Sequence, residues 1–139
     1  MLRRSACIAF AVMLVSTAHA ADTTLTLACQ GTTTAGTEDA KPEPVSMGII
    51  VNFTKKTVHG FGDAFLGEPS IKITGVTETS VYFSARDKLF ETMERSVMGG
   101  IDRVTGDVWV DDRSTDTKTS KTIASTSYAL KCRPTQRIF

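Results

Sequence analysis

Cys29 and Cys132 stand near opposite ends of the chain, and each closes a short run in which apolar and polar residues alternate. Leu25, Leu27 and Cys29 fall on one face of an extended segment, as do Tyr128, Leu130 and Cys132. Each thiol therefore belongs to the apolar side of a strand. A bridge between them ties the first strand of the fold to the last. Closing a loop of about 100 residues in this way stabilises by roughly 4 to 5 kcal/mol in the chain-entropy picture. Two thiols are too few for a thiolate metal site, and they lack the Cys-x-x-Cys spacing of a redox pair.

What lies between the cysteines reads as a succession of hairpins. The clearest runs from Gly99 to Asp112: Ile101 and Arg103 share a face of one strand, Thr105-Gly106 supplies a turn in which the glycine can take φ > 0, and Val108, Trp109 and Val110 carry the return. Val45, Met47, Ile49, Val51 and Phe53 mark a well-buried strand that turns at Thr54-Lys55-Lys56 into Thr57 to Phe61. Ser70 to Gly75 and Thr79 to Ala85 pair through Val76-Thr77-Glu78, and Ile123 to Cys132 forms the last long strand. Two polar connections, Thr32 to Pro44 and Asp111 to Lys118, read as loops able to carry binding. Arg86 to Ser96 is different, because Leu89, Phe90 and Met93 follow helical spacing; a short helix or irregular lid is expected there. About eight short strands with tied ends predict an all-β fold, a small antiparallel meander barrel, with a two-sheet β-sandwich as the alternative.

The segment Met1 to Ala20 has the basic start, apolar run and small-residue Ala18-His19-Ala20 ending of a signal peptide, so residues 21–139 are expected to form a single exported domain, periplasmic or secreted. Cys7 falls within that leader. The whole chain carries 16 basic and 15 acidic residues, and Arg3 and Arg4 leave with the leader. The slightly acidic remainder excludes nucleic acid as the main partner. A membrane-spanning barrel is excluded on Pro134 in the last strand, Arg137 beyond it and strands read as shorter than about nine residues.

The catalytic inventory is thin. His59 is the one histidine outside the leader, and no nucleophile elbow accompanies it. Asp102, Asp107, Asp111, Asp112 and Asp116 crowd one region without the spacing of a calcium loop, and read as turn residues. A paired-carboxylate hydrolase built on Asp102 and Asp107 is the enzymatic alternative. Trp109 is expected in the core, since aromatics fill small barrels; on the outside it would anchor a partner or a sugar. Arg103 is expected to be held by a carboxylate. The candidate binding residues are thus Trp109, Arg103, Asp102 and Asp107, with no catalytic residue, no metal and no cofactor expected.

The segments Pro44 to Phe53, Gly100 to Asp107 and Tyr128 to Phe139 resemble those of small uncharacterised exported proteins of Gram-negative bacteria. That group carries no activity to transfer. In size and tied β architecture the chain is also loosely similar to periplasmic lysozyme inhibitors, without their inhibitory motifs. The sequence thus predicts an exported, monomeric, non-enzymatic binding module for a protein or small molecule. An envelope structural or stress protein without a discrete ligand is the third alternative.

Overall fold

The computed structural model describes residues 23–36 and 40–135. The expected signal peptide, the middle of the 32–44 connection and the last four residues lie outside the described residues. Eight strands follow one another around a closed antiparallel barrel: β1 (Thr24–Ala35), β2 (Glu43–Asn52), β3 (Thr57–His59), β4 (Lys72–Val76), β5 (Ser80–Phe90), β6 (Met93–Asp102), β7 (Asp107–Asp116) and β8 (Thr122–Pro134). β8 returns to pair with β1, and Cys29 is the direct register partner of Cys132 in that ladder. Their sulfurs are bonded at 2.02 Å. The disulfide therefore staples the seam at which the barrel closes.

The expected meander barrel is the observed architecture, and the hairpin from Gly99 to Asp112 has its turn as read, with Gly106 at φ 78°. Two other glycines in this region have a packing reason. A Cβ on Gly99 would lie 2.5 Å from the Phe83 ring inside the barrel, and one on Gly100 would lie 2.7 Å from the Trp109 indole outside it. Adjacent glycines on β6 thus make room for one large aromatic on each side of the wall.

Several segments read as irregular are strand. Arg86 to Ser96 is neither helix nor lid: β5 runs to Phe90, a two-residue turn follows, and β6 begins at Met93. Leu89 and Met93 keep the inward parity of their strands, and Phe90 is an exposed apolar residue beside the turn; the three together mimic helical spacing. β1 extends to Ala35 through its threonines, which are β-branched and suit a strand, leaving the connection to β2 at 36–42. β7 extends to Asp116, so most of the expected Asp111 to Lys118 loop is paired with β6 and β8. β3, by contrast, is only three residues long, and Phe61 leaves the sheet.

The barrel has two unlike ends. At one, β1 begins, β8 ends, and three tight turns at 53–56, 77–79 and 103–106 leave the interior uncovered; this is the open end. At the other, the segment 60–71 between β3 and β4 crosses the opening as a strap, with Phe61 and Ile71 buried beneath it. Toward the open end the interior is aliphatic: Leu27, Val51, Val81, Ile101, Val108 and Leu130 are buried there. In the middle lie Cys29, Ile49, Phe83, Val97 and Val110. Phe61 of the strap packs on Phe83 at a ring distance of 6.0 Å and edge-on to Tyr128 at 5.7 Å.

No helix among the described residues is long and apolar enough to cross a membrane. The strand-length argument made from sequence fails, since six strands have 10 to 13 residues, enough for about nine to eleven. What speaks against a lipid-facing wall is the side-chain pattern. Arg86, Arg113 and Lys131 interrupt the scattered apolar residues of the outside, such as Tyr82 and Met98, and the continuous apolar surface is the inner one, the reverse of an outer-membrane barrel.

Candidate functional site

At the open end the aliphatic interior does not close. A cavity of about 240 Å³ is lined by Leu25, Leu27, Val51, Phe53, Val81 and Ile101, with Cys132 and Pro134 from the last strand. Asp102 and Arg103 stand at its rim, on the turn between β6 and β7. The strand alternation that buries Leu27, Val51 and Ile101 in the core also carries Leu25 and Phe53 to the mouth, so the apolar lining follows from position along each strand.

The two rim residues differ in what they have left to offer. Oδ1 of Asp102 accepts the backbone N–H groups of Val104 and Thr105, each at 2.8 Å, in an Asx turn. These bonds to the charged form, Thr105 first, hold its carboxyl below the ordinary value. Arg103 does not meet a carboxylate as expected. Its Nη1 donates to the carbonyl of Thr77 at 3.0 Å, which ties the 103–106 turn to the 77–79 turn. A guanidinium has five N–H donors, and no second acceptor engages this one among the described residues.

Asp107 faces away from that mouth. It accepts from Lys131 Nζ at 2.8 Å and from the Thr105 hydroxyl at 2.6 Å, and the lysine hydrogen bond chiefly lowers its pKa. Neither Asp102 nor Asp107 therefore has the raised pKa that a general acid requires. Trp109 is on the outer surface, half exposed at 50%, and not in the core. Its neighbours Val108 and Val110 take the inward positions, and Phe83 fills the space inside Gly99. The four candidates thus divide into two places: Asp102 and Arg103 at the mouth, Asp107 and Trp109 on the wall.

Reasoning from sequence missed the most constrained polar group among the described residues. Arg95 on β6 is 2% exposed and lies inside the barrel near the strapped end. Its Nη2 donates to Asp112 Oδ2 at 2.5 Å, and its Nε donates to both oxygens of the same carboxylate, at 3.0 and 3.1 Å. Nη1 donates to the carbonyl of Gly67 at 3.0 Å and Nη2 to that of Phe61 at 3.2 Å, both on the strap. Asp63, also on the strap, approaches to 3.5 Å. The Asp112 hydrogen bond is the main reason that the Arg95 pKa is raised. Asp63 is held below the ordinary value, first by the Leu66 backbone N–H. Burial is the main reason that the Tyr128 pKa is raised.

A signal for this network was present. Arg95 shares the parity of Val97 and Ile101, and Asp112 that of Val108 and Val110, so both are charges on apolar faces. Every nitrogen of the guanidinium has a protein acceptor and the group sits beneath the strap, which makes it a fastening. His59 is exposed at the root of the strap, with Nδ1 3.3 Å from Glu68 and Nε2 3.2 Å from the Thr57 hydroxyl. No three His, Cys, Asp or Glu side chains converge on a common point among the described residues.

No protein-family model, curated protein or solved structure matches the chain. The chemistry available must therefore be read from the geometry, and the mouth combines apolar walls with an under-used cation at its edge.

Proposed function

We propose that the barrel is a non-enzymatic binding module of an oxidising, exported location, working as a monomer, and that it takes the apolar part of a small amphipathic anion into its open mouth. The observation that carries this reading is the 240 Å³ cavity walled by six apolar side chains with Arg103 at the rim. Small-molecule clefts usually measure about 300 to 1,000 Å³, so this one suits a single short alkyl chain or ring. Six buried methylenes contribute about 5 kcal/mol. A weak complex follows, with Kd on the order of 0.1 to 1 mM. Arg103 supplies donors for a carboxylate or similar head group, and its bond to Thr77 holds the guanidinium at the rim before any ligand arrives. The Cys29–Cys132 bridge accords with an oxidising compartment.

Calorimetric titration of the oxidised protein with octanoate, and with octanol as the uncharged counterpart, tests this. Saturable octanoate binding, lost on Leu25→Trp, with the preference over octanol lost on Arg103→Gln, is the expected pattern. No saturable binding of octanoate at about 10 mM (roughly ten times the weakest affinity expected), with octanol tested below its solubility limit, would overturn the reading.

A further inference from the structure

A second concave site lies on the outer wall, where the sole tryptophan of the chain stands. Trp109 on β7 is flanked in the sheet by Gly100 on β6 and Ala129 on β8. Three atoms of its indole, Nε1, Cε2 and Cζ2, lie 2.7, 3.1 and 3.3 Å from where a Cβ on Gly100 would be, so the ring leans over the glycine toward β6. That lean opens a groove on the other side. It has a volume of about 450 Å³ and is lined by Trp109, Ala129, Gln30, Asp107 and Lys131, with Gly31 beneath. Its floor is Ala129 and Gly31 with Val108 and Leu130, whose side chains are buried in the barrel core. One wall is the aromatic ring and the other is the Gln30 amide on β1. At one end stands the Asp107–Lys131 pair, joined at 2.8 Å and exposed on both sides.

We infer that this groove binds a carbohydrate, with one pyranose ring set on Ala129 and its C–H face against Trp109. A sugar presents apolar C–H groups on one side and hydroxyls that donate and accept around its edge. The groove answers both: the indole covers apolar surface, Asp107 accepts, Lys131 donates and Gln30 does either. An apolar ligand would leave this charged pair to be desolvated without return, and an anion would meet Asp107. The pair is already assembled, since Asp107 is fixed by Thr105 as well as by Lys131. The groove is also separate from the mouth, so the two sites can be filled or emptied independently.

The test uses the oxidised full chain and three neutral trisaccharides: cellotriose, maltotriose and N,N′,N″-triacetylchitotriose. The emission of the sole tryptophan should shift to the blue and saturate with at least one of them, unchanged by prior addition of octanoate. In calorimetry, Trp109→Ala should weaken that sugar by at least about tenfold and Lys131→Ala by a smaller factor of about three. Far-ultraviolet circular dichroism of both variants checks that the barrel is intact. No saturable response to any of the three sugars at 20 mM (roughly the weak limit for one stacked ring) would overturn the proposal. So would an emission shift on concentrating the protein without sugar, which would assign the groove to a second copy of the chain.

Discussion

At the open end of the barrel the interior finishes in aliphatic side chains around an uncovered cavity. At the strapped end it finishes in Arg95, which is buried and bonded to Asp112 and to two strap carbonyls. The two ends share eight strands and the same alternation, yet they differ in what would happen if a covering segment left. The aliphatic end needs no cover, since its residues have each other and a cavity this small is a modest cost. The charged end cannot do without one. Opening the strap would strip the Gly67 and Phe61 carbonyls and the Asp63 carboxylate from a guanidinium inside the barrel. A site that must admit a ligand belongs at the first end, and a fastening belongs at the second.

The largest expected effect separates these roles. Arg95→Ala leaves the Asp112 carboxylate, 13% exposed, without its partner and frees the strap, and should lower unfolding free energy by about 3 to 5 kcal/mol in a urea titration. Limited proteolysis should then cut within 60–71. Replacing both charges together, as Arg95→Met with Asp112→Leu, should recover most of that stability while leaving the strap loose. A loss under about 1 kcal/mol for Arg95→Ala would mean that the network fastens nothing.

Removing the disulfide by Cys29→Ala with Cys132→Ala comes next, at about 2 to 4 kcal/mol, the typical range and below the chain-entropy figure for so long a loop. Because the bridge lies in the apolar part of the barrel, hydrogen exchange should quicken first along β1 and β8 and leave the strap protected. Leu27→Ala at the mouth should cost about 2 kcal/mol, near the low end for a buried leucine, because the space it leaves adjoins a cavity that already exists. Equal loosening at both ends in either variant would erase the contrast.

The smallest effect is on pH. Asp63, Asp102, Asp107 and Asp116 all have folded pKa values below 3.8. A depressed folded pKa contributes stability that is present above the unfolded value and is lost as pH falls through the folded one. Thermal midpoints should therefore hold down to about pH 4 and decline below it, most at the turns these aspartates cap. A decline that begins well above pH 4 would contradict this assignment to the aspartates.

Much of this architecture could be read from residue order because alternation survives wherever one face of a strand is buried. Leu27, Val51, Val81 and Ile101 announce their inward face, and Cys29 and Cys132 announce their partnership. Where the interior turns polar the same reading failed. Thr33, Arg95, Asp112 and Ser114 face inward at the strapped end, and an inward charge looks like an outward one until its partner is known. The far ends of β1 and β7 therefore read as loops, and exposed Phe90 beside inward Leu89 and Met93 reads as a helical turn. Alternation alone puts Trp109 opposite Val108 and Val110; the expectation of a core tryptophan fails because Phe83, not Trp109, is the aromatic that fills the barrel beside Gly99. The mouth itself was invisible because Leu25, Phe53 and Pro134 meet only when the sheet closes.

The division of labour between the ends is tested most directly by mapping amide chemical shifts of the oxidised, isotopically labelled protein during an octanoate titration. The account predicts saturable changes at Leu25, Leu27, Val51, Val81, Ile101 and Arg103, with Phe61, Gly67, Arg95 and Asp112 unmoved. Changes confined to the strap and its charged network, or no saturable change anywhere, would contradict it.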